Sequence, residues 1–477
     1  MAFGIKSTTM DMTRGPLFKK IILFTLPLIA TNLLQVFYNM ADVMVAGLSD
    51  NPDAMGAVGS TTAFVNMILY IFMGVSAGTD VVVARCVGAG DDENTSRAVH
   101  TSICISLLFG LTGSLVGILL TRPIYTLMGY GGNLLILAER YTCIVLGCLP
   151  FISLNNFLAA IMRSKGDTKT PLYVMSFTGL LNVLLNLFFV LVLHLTVEGV
   201  AIATVVANAV SAVILWYFLA KDTGPCRISF KKLRISLPHF RDICLIGFPA
   251  GLENALISVS NMLMQSSIMT MNNTLAPAGS AYEPVIRGNT AAESIEGFAY
   301  SIINSIVHAS IVFTGQNVGV GNYRRVKKVF INVLLIISVT AAAISAVMLA
   351  LHAPLLSLYG VKPGADAISD IAFFAATRRV FCKWMFFVLF ALTNTASGVL
   401  RGLGKALGTA IISLMGMCGF RIFWILCVFG NFPSLEVIYF SYPISWTLTG
   451  VAFFAYVITH LRKKIKNQPL REELNLQ

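Results

Sequence analysis

The chain has 477 residues, of which 56% are hydrophobic and only 12% charged, with a mean hydropathy of +0.78. A soluble globular protein carries about 25% charged residues, so this composition excludes a single water-soluble core and demands many apolar segments facing lipid or one another. The net charge of +12 would suit a nucleic-acid binder, but the basic residues are spread over alternate polar breaks rather than gathered in a patch, so nucleic acid is excluded as a partner.

In chain order, the first half predicts helices over 20–47, 55–84, 98–121, 133–160, 171–194 and 197–220. The second half predicts helices over 240–270, 285–316, 327–357, 368–398, 407–429 and 434–460. Each supplies the roughly 20 residues that cross a bilayer, and none alternates with the period of two of a membrane β-barrel. The fold class is therefore an all-α polytopic membrane protein of about twelve transmembrane helices.

The breaks sort by charge. Lys6, Arg14, Lys19 and Lys20 precede the first helix. Every second break after that is basic: Arg85 and Arg97; Arg163, Lys165 and Lys169; Lys221 through Arg241; Arg324 to Lys328; Arg401 and Lys405; and the tail from Arg462. The breaks near 48–55, 194–199 and 430–435 hold no Lys or Arg. Positive loops stay in the cytoplasm, so both termini are expected there, in a multi-pass protein of the cell (inner) membrane. The nine cysteines are scattered, without a C-x-x-C pair, and read as small apolar packing residues.

The two halves repeat each other. At an offset of 222 residues, Pro16, Pro27, Asn32, Asn39 and Met40 meet Pro238, Pro249, Asn254, Asn261 and Met262. In the same order, Val87-Gly88-Ala89-Gly90-Asp91 matches Val318-Gly319-Val320-Gly321-Asn322, and Arg163-Ser164-Lys165-Gly166-Asp167 matches Arg401-Gly402-Leu403-Gly404-Lys405. An internal duplication with an even number of helices per copy makes a parallel repeat. The expected division is a first lobe at 1–220, a cytoplasmic linker at 221–239, a second lobe at 240–461 and a cytoplasmic tail at 462–477. The glycine-rich breaks read as tight turns, since no G-x-x-x-x-G-K-[ST] loop for phosphate occurs.

Those repeated turns and their flanks resemble the MATE (multidrug and toxic compound extrusion) family. The features are Pro27 with Asp42, Gly78-Thr79, the two turns, Asn182 and Gly199 to Thr204 in the first half. Glu296-Gly297-Phe298, Phe313-Thr314-Gly315-Gln316-Asn317 and Arg401-Gly402-x-Gly404 follow in the second. The resemblance implies two six-helix lobes forming a V around a central cavity. It also implies export of small amphipathic compounds by antiport with Na⁺ or H⁺, through alternating access. No enzyme activity and no cofactor beyond the coupling ion are expected, and the chain is expected to act as a monomer on small-molecule substrates in the bilayer. A lipid-linked oligosaccharide flippase of the same superfamily is the alternative, but it usually carries extra helices.

Polar residues inside the apolar runs are the candidate site. A carboxylate in hydrocarbon is costly and faces a cavity or a partner, which singles out Asp42. Asn182 and Asn186 are four residues apart and share a helix face. The resemblance implies a cation-coupling site of Asp42, Asn156, Asn182, Asn186 and Thr204, with Asp42, Asn182 and Asn186 as Na⁺ ligands. Asn186 stands where many members carry Asp, which leaves one carboxylate among neutral oxygens, a set suited to a single Na⁺ or a single proton. The offset puts Met264 opposite Asp42, so the halves are not equivalent. The second half instead holds Arg378, Arg379, Lys383 and Arg421, for which Glu253 or Glu296 are the expected partners. Tyr38, Glu253, Asn261, Glu296, Arg379 and Lys383 are the expected substrate-cavity or charge-network residues.

Overall fold

The computed structural model describes residues 10–46, 48, 54–127, 132–275, 283–364 and 366–468. Lys6, most of the break at 48–55 and the end of the tail, including Arg471, lie outside the described residues. The helices in chain order are α1 (Leu17–Ala46), α2 (Ala54–Ala89), α3 (Asp92–Leu127), α4 (Gly132–Gly147), α5 (Leu149–Ser164), α6 (Lys169–Leu187), α7 (Val197–Ala220) and α8 (Leu237–Leu275). They continue with α9 (Pro284–Gly319), α10 (Tyr323–Ala350), α11 (His352–Leu358), α12 (Ala367–Trp384), α13 (Phe387–Gly402), α14 (Ala406–Ser413), α15 (Phe420–Trp424) and α16 (Leu435–Lys466). Among the described residues there is no strand.

Among the described residues, ten helical segments are individually long and apolar enough to cross a membrane. Two bent pairs, α4 with α5 (47°) and α12 with α13 (51°), raise the count to as many as twelve. The sequence predicts 133–160 and 368–398 as single helices, and the structure breaks each of them. The first break falls at Cys148, ahead of Pro150 in the first turn of α5. Proline has no N–H to continue the preceding ladder and is at home where a new helix starts. The second break falls at Met385 and Phe386, directly after Trp384.

The duplicated motifs are one helix-stopping device used twice in each half. Gly90 (φ 69°) and Gly321 (φ 77°) take the left-handed conformation, as do Gly166 (φ 92°) and Gly404 (φ 71°). The residue after each glycine donates its N–H back to the last turn: Asp91 to Cys86 (3.3 Å), Asn322 to Asn317 (2.9 Å), Asp167 to Met162 (2.9 Å) and Lys405 to Leu400 (2.8 Å). That backward bond satisfies an orphan carbonyl and needs a residue that tolerates positive φ. After the first turn Asp91 accepts from the Asn94 N–H (2.9 Å), and these bonds hold its carboxyl below the usual carboxylate range. Asp366 and Ser434 similarly accept from the first-turn N–H groups of α12 and α16.

By internal packing the chain divides into a first unit of Met1–Asn254 with Val312–Asn322, and a second of Ala255–Ile311 with Tyr323–Gln477. In the first unit α3 shows how packing works without water. Leu111, Leu115 and Leu119 are more than half exposed on its outer stripe, while Ser102, Ser106, Gly110, Gly117 and Thr121 are buried. Lipid is as apolar as leucine, so small residues that let backbones approach take the inner face. Ser102 and Thr121 return their hydroxyls to carbonyls one turn back, at 2.8 Å each.

Helix α2 carries this furthest. A Cβ on Gly74 would lie 2.1 Å from the Gly251 backbone, and one on Gly88 would lie 2.1 Å from the Gln316 carbonyl oxygen. Backbone cannot move aside as a side-chain end can. Gly88→Ala is therefore expected to cost about 1–3 kcal/mol as overpacking, read as a lower thermal midpoint of the purified protein. Gly224→Ala, where a Cβ meets nothing within 4 Å, is expected to leave that midpoint unchanged.

Close by, the chain before α1 is locked in place. Met12 is fully buried. Its N–H donates to Gln316 Oε1 (3.1 Å), its carbonyl accepts from Asn317 Nδ2 (3.2 Å), and Gln316 Nε2 donates to the Ser164 carbonyl (2.7 Å). The Gln316-Asn317 pair of the motif is thus a clamp on the N-terminal segment.

In the second unit Met264, Ile268, Val285, Ile438, Tyr439 and Trp446 belong to one buried apolar cluster. The position that the internal repeat sets against Asp42 is thus occupied by core.

Candidate cation site and buried charge network

Four of the five predicted cation-site residues meet in the first unit. Asp42 sits late on α1, Asn182 and Asn186 on α6, and Thr204 on α7. Asn186 Nδ2 donates to Asp42 Oδ1 (2.5 Å) and reaches Asn182 Oδ1 (3.4 Å). Asn182 Nδ2 donates to Thr204 Oγ1 (3.4 Å), and Thr204 Oγ1 lies 3.5 Å from Asp42 Oδ2. The contacts close a ring around one carboxylate. The four-residue spacing on α6 puts both amides on the face that meets α1 and α7.

Asn186 Oδ1 is buried with no hydrogen-bond partner. A buried orphan acceptor beside a carboxylate is an oxygen available to a positive charge. Over the site lies an apolar cluster of Val45, Ala46, Val58, Val190, Val197 and Val200, with Tyr141 and Leu187 against it. Three of these, Ala46, Val190 and Val200, lie one turn from Asp42, Asn186 and Thr204, so the helices that carry the oxygens also exclude water. Asp42 has no Lys or Arg partner among the described residues. Its charge is met by one amide and one hydroxyl, those of Asn186 and Thr204.

Asn156 on α5 is half-buried and makes none of these bonds; its neighbour Asn155 accepts from Ser211 (2.9 Å) instead. Tyr38 packs against Gly179 of α6, where a Cβ would strike its ring, and its hydroxyl reaches the Ser176 carbonyl (3.4 Å).

The second unit gathers the other predicted residues. Glu296 on α9 takes a paired contact from Arg379 (Nε–Oε1 2.9 Å, Nη2–Oε2 2.8 Å) and a third from Lys383 Nζ (2.6 Å). Arg379 also donates to Asn289 Oδ1 (2.6 Å), which accepts from the Tyr439 hydroxyl as well (3.3 Å). Glu293 stands 3.7 Å from Arg379 and accepts from Gln265 (2.9 Å). Asn261 accepts from Arg421 at 3.4 Å. Of the two carboxylates expected as partners, Glu296 takes both cations, and Glu253 is buried on the part of α8 that belongs to the first unit. Arg378 is half exposed and pairs with Glu436 (3.2 Å).

Sequence reasoning missed two buried ion pairs of the first unit. Asp80 on α2 is fully buried and receives Arg163 through two bonds (3.2 and 2.9 Å), while Ser164 Oγ donates to its backbone carbonyl (3.1 Å). The signal was present: an aspartate inside an apolar run, and an arginine at the head of a duplicated turn. Lys165 and Asp222 form a second buried pair at 2.8 Å. In the same linker, burial pushes the Cys226 thiol up to about 12, so it is inert packing rather than a nucleophile.

With this geometry in hand, known proteins give a consistent comparison. A probable multidrug resistance protein of Bacillus subtilis (strain 168), YoeA, is 23% identical over 467 residues, 96% of each chain. A probable multidrug resistance protein of Thermotoga maritima, NorM, is 24% identical over 412 residues, 85% of this chain and 84% of its own. Among solved structures, an outward-facing multidrug resistance MATE family transporter superposes with a TM-score of 0.86 at 21% identity, covering 97% of this chain and 100% of that one. A MOP superfamily transporter from Pyrococcus furiosus gives 0.87 at 21% identity, covering 96% and 99%. The family described as MatE matches residues 27–188 and again 249–426, the two matches starting at the equivalent prolines of the internal repeat. The chain belongs to the MATE family, a family of multi-pass membrane transporters and not of enzymes.

Proposed function

We propose that this protein exports small amphipathic compounds by antiport coupled to Na⁺ or H⁺, with Asp42 as the coupling residue. The observation that carries the reading is the ring of Asp42, Asn182, Asn186 and Thr204 with the orphan oxygen of Asn186. One carboxylate among neutral oxygens offers a charge of −1, too little for a divalent ion and right for one Na⁺ or one proton. Asp42, Asn182, Asn186 and Thr204 would hold the ion, and Asn186 would turn its oxygen to it. Relatives named as multidrug resistance and multidrug export proteins support the cargo class.

The coupling follows from differential affinity. An ion drives transport only if it binds one conformation better than another. Asp42 on α1, Asn186 on α6 and Thr204 on α7 come from three helices, so shifting any of them takes the cage apart. Binding therefore favours the arrangement that closes the ring, and the site alternates its access to the two sides. The repeated halves at 1–220 and 240–461, joined by the basic linker 221–239, are the two lobes of that motion. Charge sorting puts both termini, with the tail at 462–477, in the cytoplasm of a cell whose inner membrane the monomer spans. As many as twelve spans favour an exporter over the larger flippases of the superfamily.

Inside-out vesicles with an imposed sodium gradient or an imposed pH gradient separate the two ions. Uptake that tracks sodium at fixed pH is the expected result. Full-rate uptake without sodium would eliminate the sodium reading and leave the proton.

A further inference from the structure

The buried charges of the second unit do not balance. Arg379, Lys383 and Arg421 are each 4% exposed or less, and Glu296, at 1%, is the buried carboxylate among them. Glu293, with its side chain 47% exposed, adds a second negative charge 3.7 Å from Arg379. One positive charge is left over, and it belongs to Arg421, which has no carboxylate partner among the described residues.

Neutral groups hold Arg421 instead. Its Nε donates to Ser445 Oγ (3.1 Å) and Nη1 to Asn261 Oδ1 (3.4 Å). The guanidinium lies 4.3 Å from the Tyr442 ring centroid. Lys383 Nζ lies 4.1 Å from the same centroid, so two cations converge on one tyrosine. A guanidinium has five donors, and two of them are used here. A buried cation without an anion is costly in a protein of this kind and marks a functional site by default. Aromatic rings continue the wall: Trp446 is 6.1 Å from Tyr442 and 5.2 Å from Phe390.

We propose that the second unit carries a binding site for the carboxylate of a small aromatic or amphipathic ligand, held by Arg421 and Lys383 at the Tyr442 ring. A monoanion restores the balance, whereas a dianion overshoots it. A planar carboxylate matches the free edge of the guanidinium, and the apolar body of the ligand lies along Tyr442, Trp446 and Phe390. The site is independent of the ion that Asp42 takes, and it goes beyond the export reading without needing it.

Benzoate is the probe, with benzamide as its uncharged counterpart of the same shape. Tryptophan fluorescence of the purified full-length chain in detergent, in low-salt zwitterionic buffer, reads binding at equilibrium without any ion gradient. Native protein is expected to bind benzoate saturably and benzamide at least tenfold more weakly. Arg421→Gln is expected to weaken benzoate at least tenfold, and Gly224→Ala, where an added Cβ meets nothing within 4 Å, to leave it unchanged. Ser445→Asp places a carboxylate against Arg421 Nε, so it is expected to abolish benzoate binding and raise the thermal midpoint. That variant decides the matter even where Arg421→Gln fails to fold. Equal binding of benzoate and benzamide by native protein, or native-like benzoate binding by folded Ser445→Asp, overturns the proposal.

Discussion

Asp42→Asn is expected to abolish ion-driven accumulation in vesicles while the folded protein remains. The substituted amide keeps the size of the carboxylate and its bonds to Asn186 and Thr204, so the ring that joins α1, α6 and α7 survives. The negative charge that binds Na⁺ or a proton is lost. One charge moving through 100 mV is worth about 2.3 kcal/mol, which corresponds to a concentration ratio of roughly fifty-fold for an uncharged cargo. The native protein should build such a ratio and Asp42→Asn should stop near equality, with a thermal midpoint close to native. Retained accumulation in Asp42→Asn would remove Asp42 from the mechanism.

Glu296→Gln is expected to be the most destabilising single substitution in the second unit. One fully buried carboxylate pairs with two buried cations, at 2.8 Å from Arg379 and 2.6 Å from Lys383. Breaking a buried pair costs about 3–5 kcal/mol, because the remaining charge stays in the interior unpaired. Here Lys383 is left without a carboxylate, and Arg379 keeps only the half-exposed Glu293 at 3.7 Å. The thermal midpoint of the purified protein should fall well below that of any surface variant. Lys383→Met in the Glu296→Gln background should recover part of the loss, because it removes the charge left without a carboxylate. The shared carboxylate predicts non-additivity of the two substitutions. A small, additive effect would mean that water reaches the network and screens it.

The legibility of these features differs residue by residue. The helices and the duplicated turns were readable because they depend on local chemistry: apolar runs of spanning length, and a glycine where the backbone turns left-handed at Gly90, Gly166, Gly321 and Gly404. The shared face of Asn182 and Asn186 was readable from a spacing of four. Asn156 was carried to the cation site by the resemblance, and the structure turns its neighbour Asn155 to Ser211 instead. Asp80 was missed although it sits inside a helix whose polarity is plain, because nothing near it in sequence hints at a partner 83 residues away. The imbalance at Arg421 was also invisible. Four basic residues and several acids were evident in the second half, but not which of them pair.

The sequence alone determined that this chain spans a membrane as a duplicated helical protein, which ends of its helices are basic, and which polar residues are candidates for function. Hydrophobicity, turn chemistry and loop charge act over a few residues, so they are written locally. Only the tertiary structure decided that Asp42 meets Asn186, 144 residues on, and Thr204, 162 residues on, in one closed ring, while Met264 at the equivalent place packs into core. It alone decided that Glu296 serves two cations and that Arg421 has no carboxylate partner among the described residues. The physical reason is that a lone polar group in lipid must find a partner, and the partner lies on whichever helix the packing of small residues brings alongside.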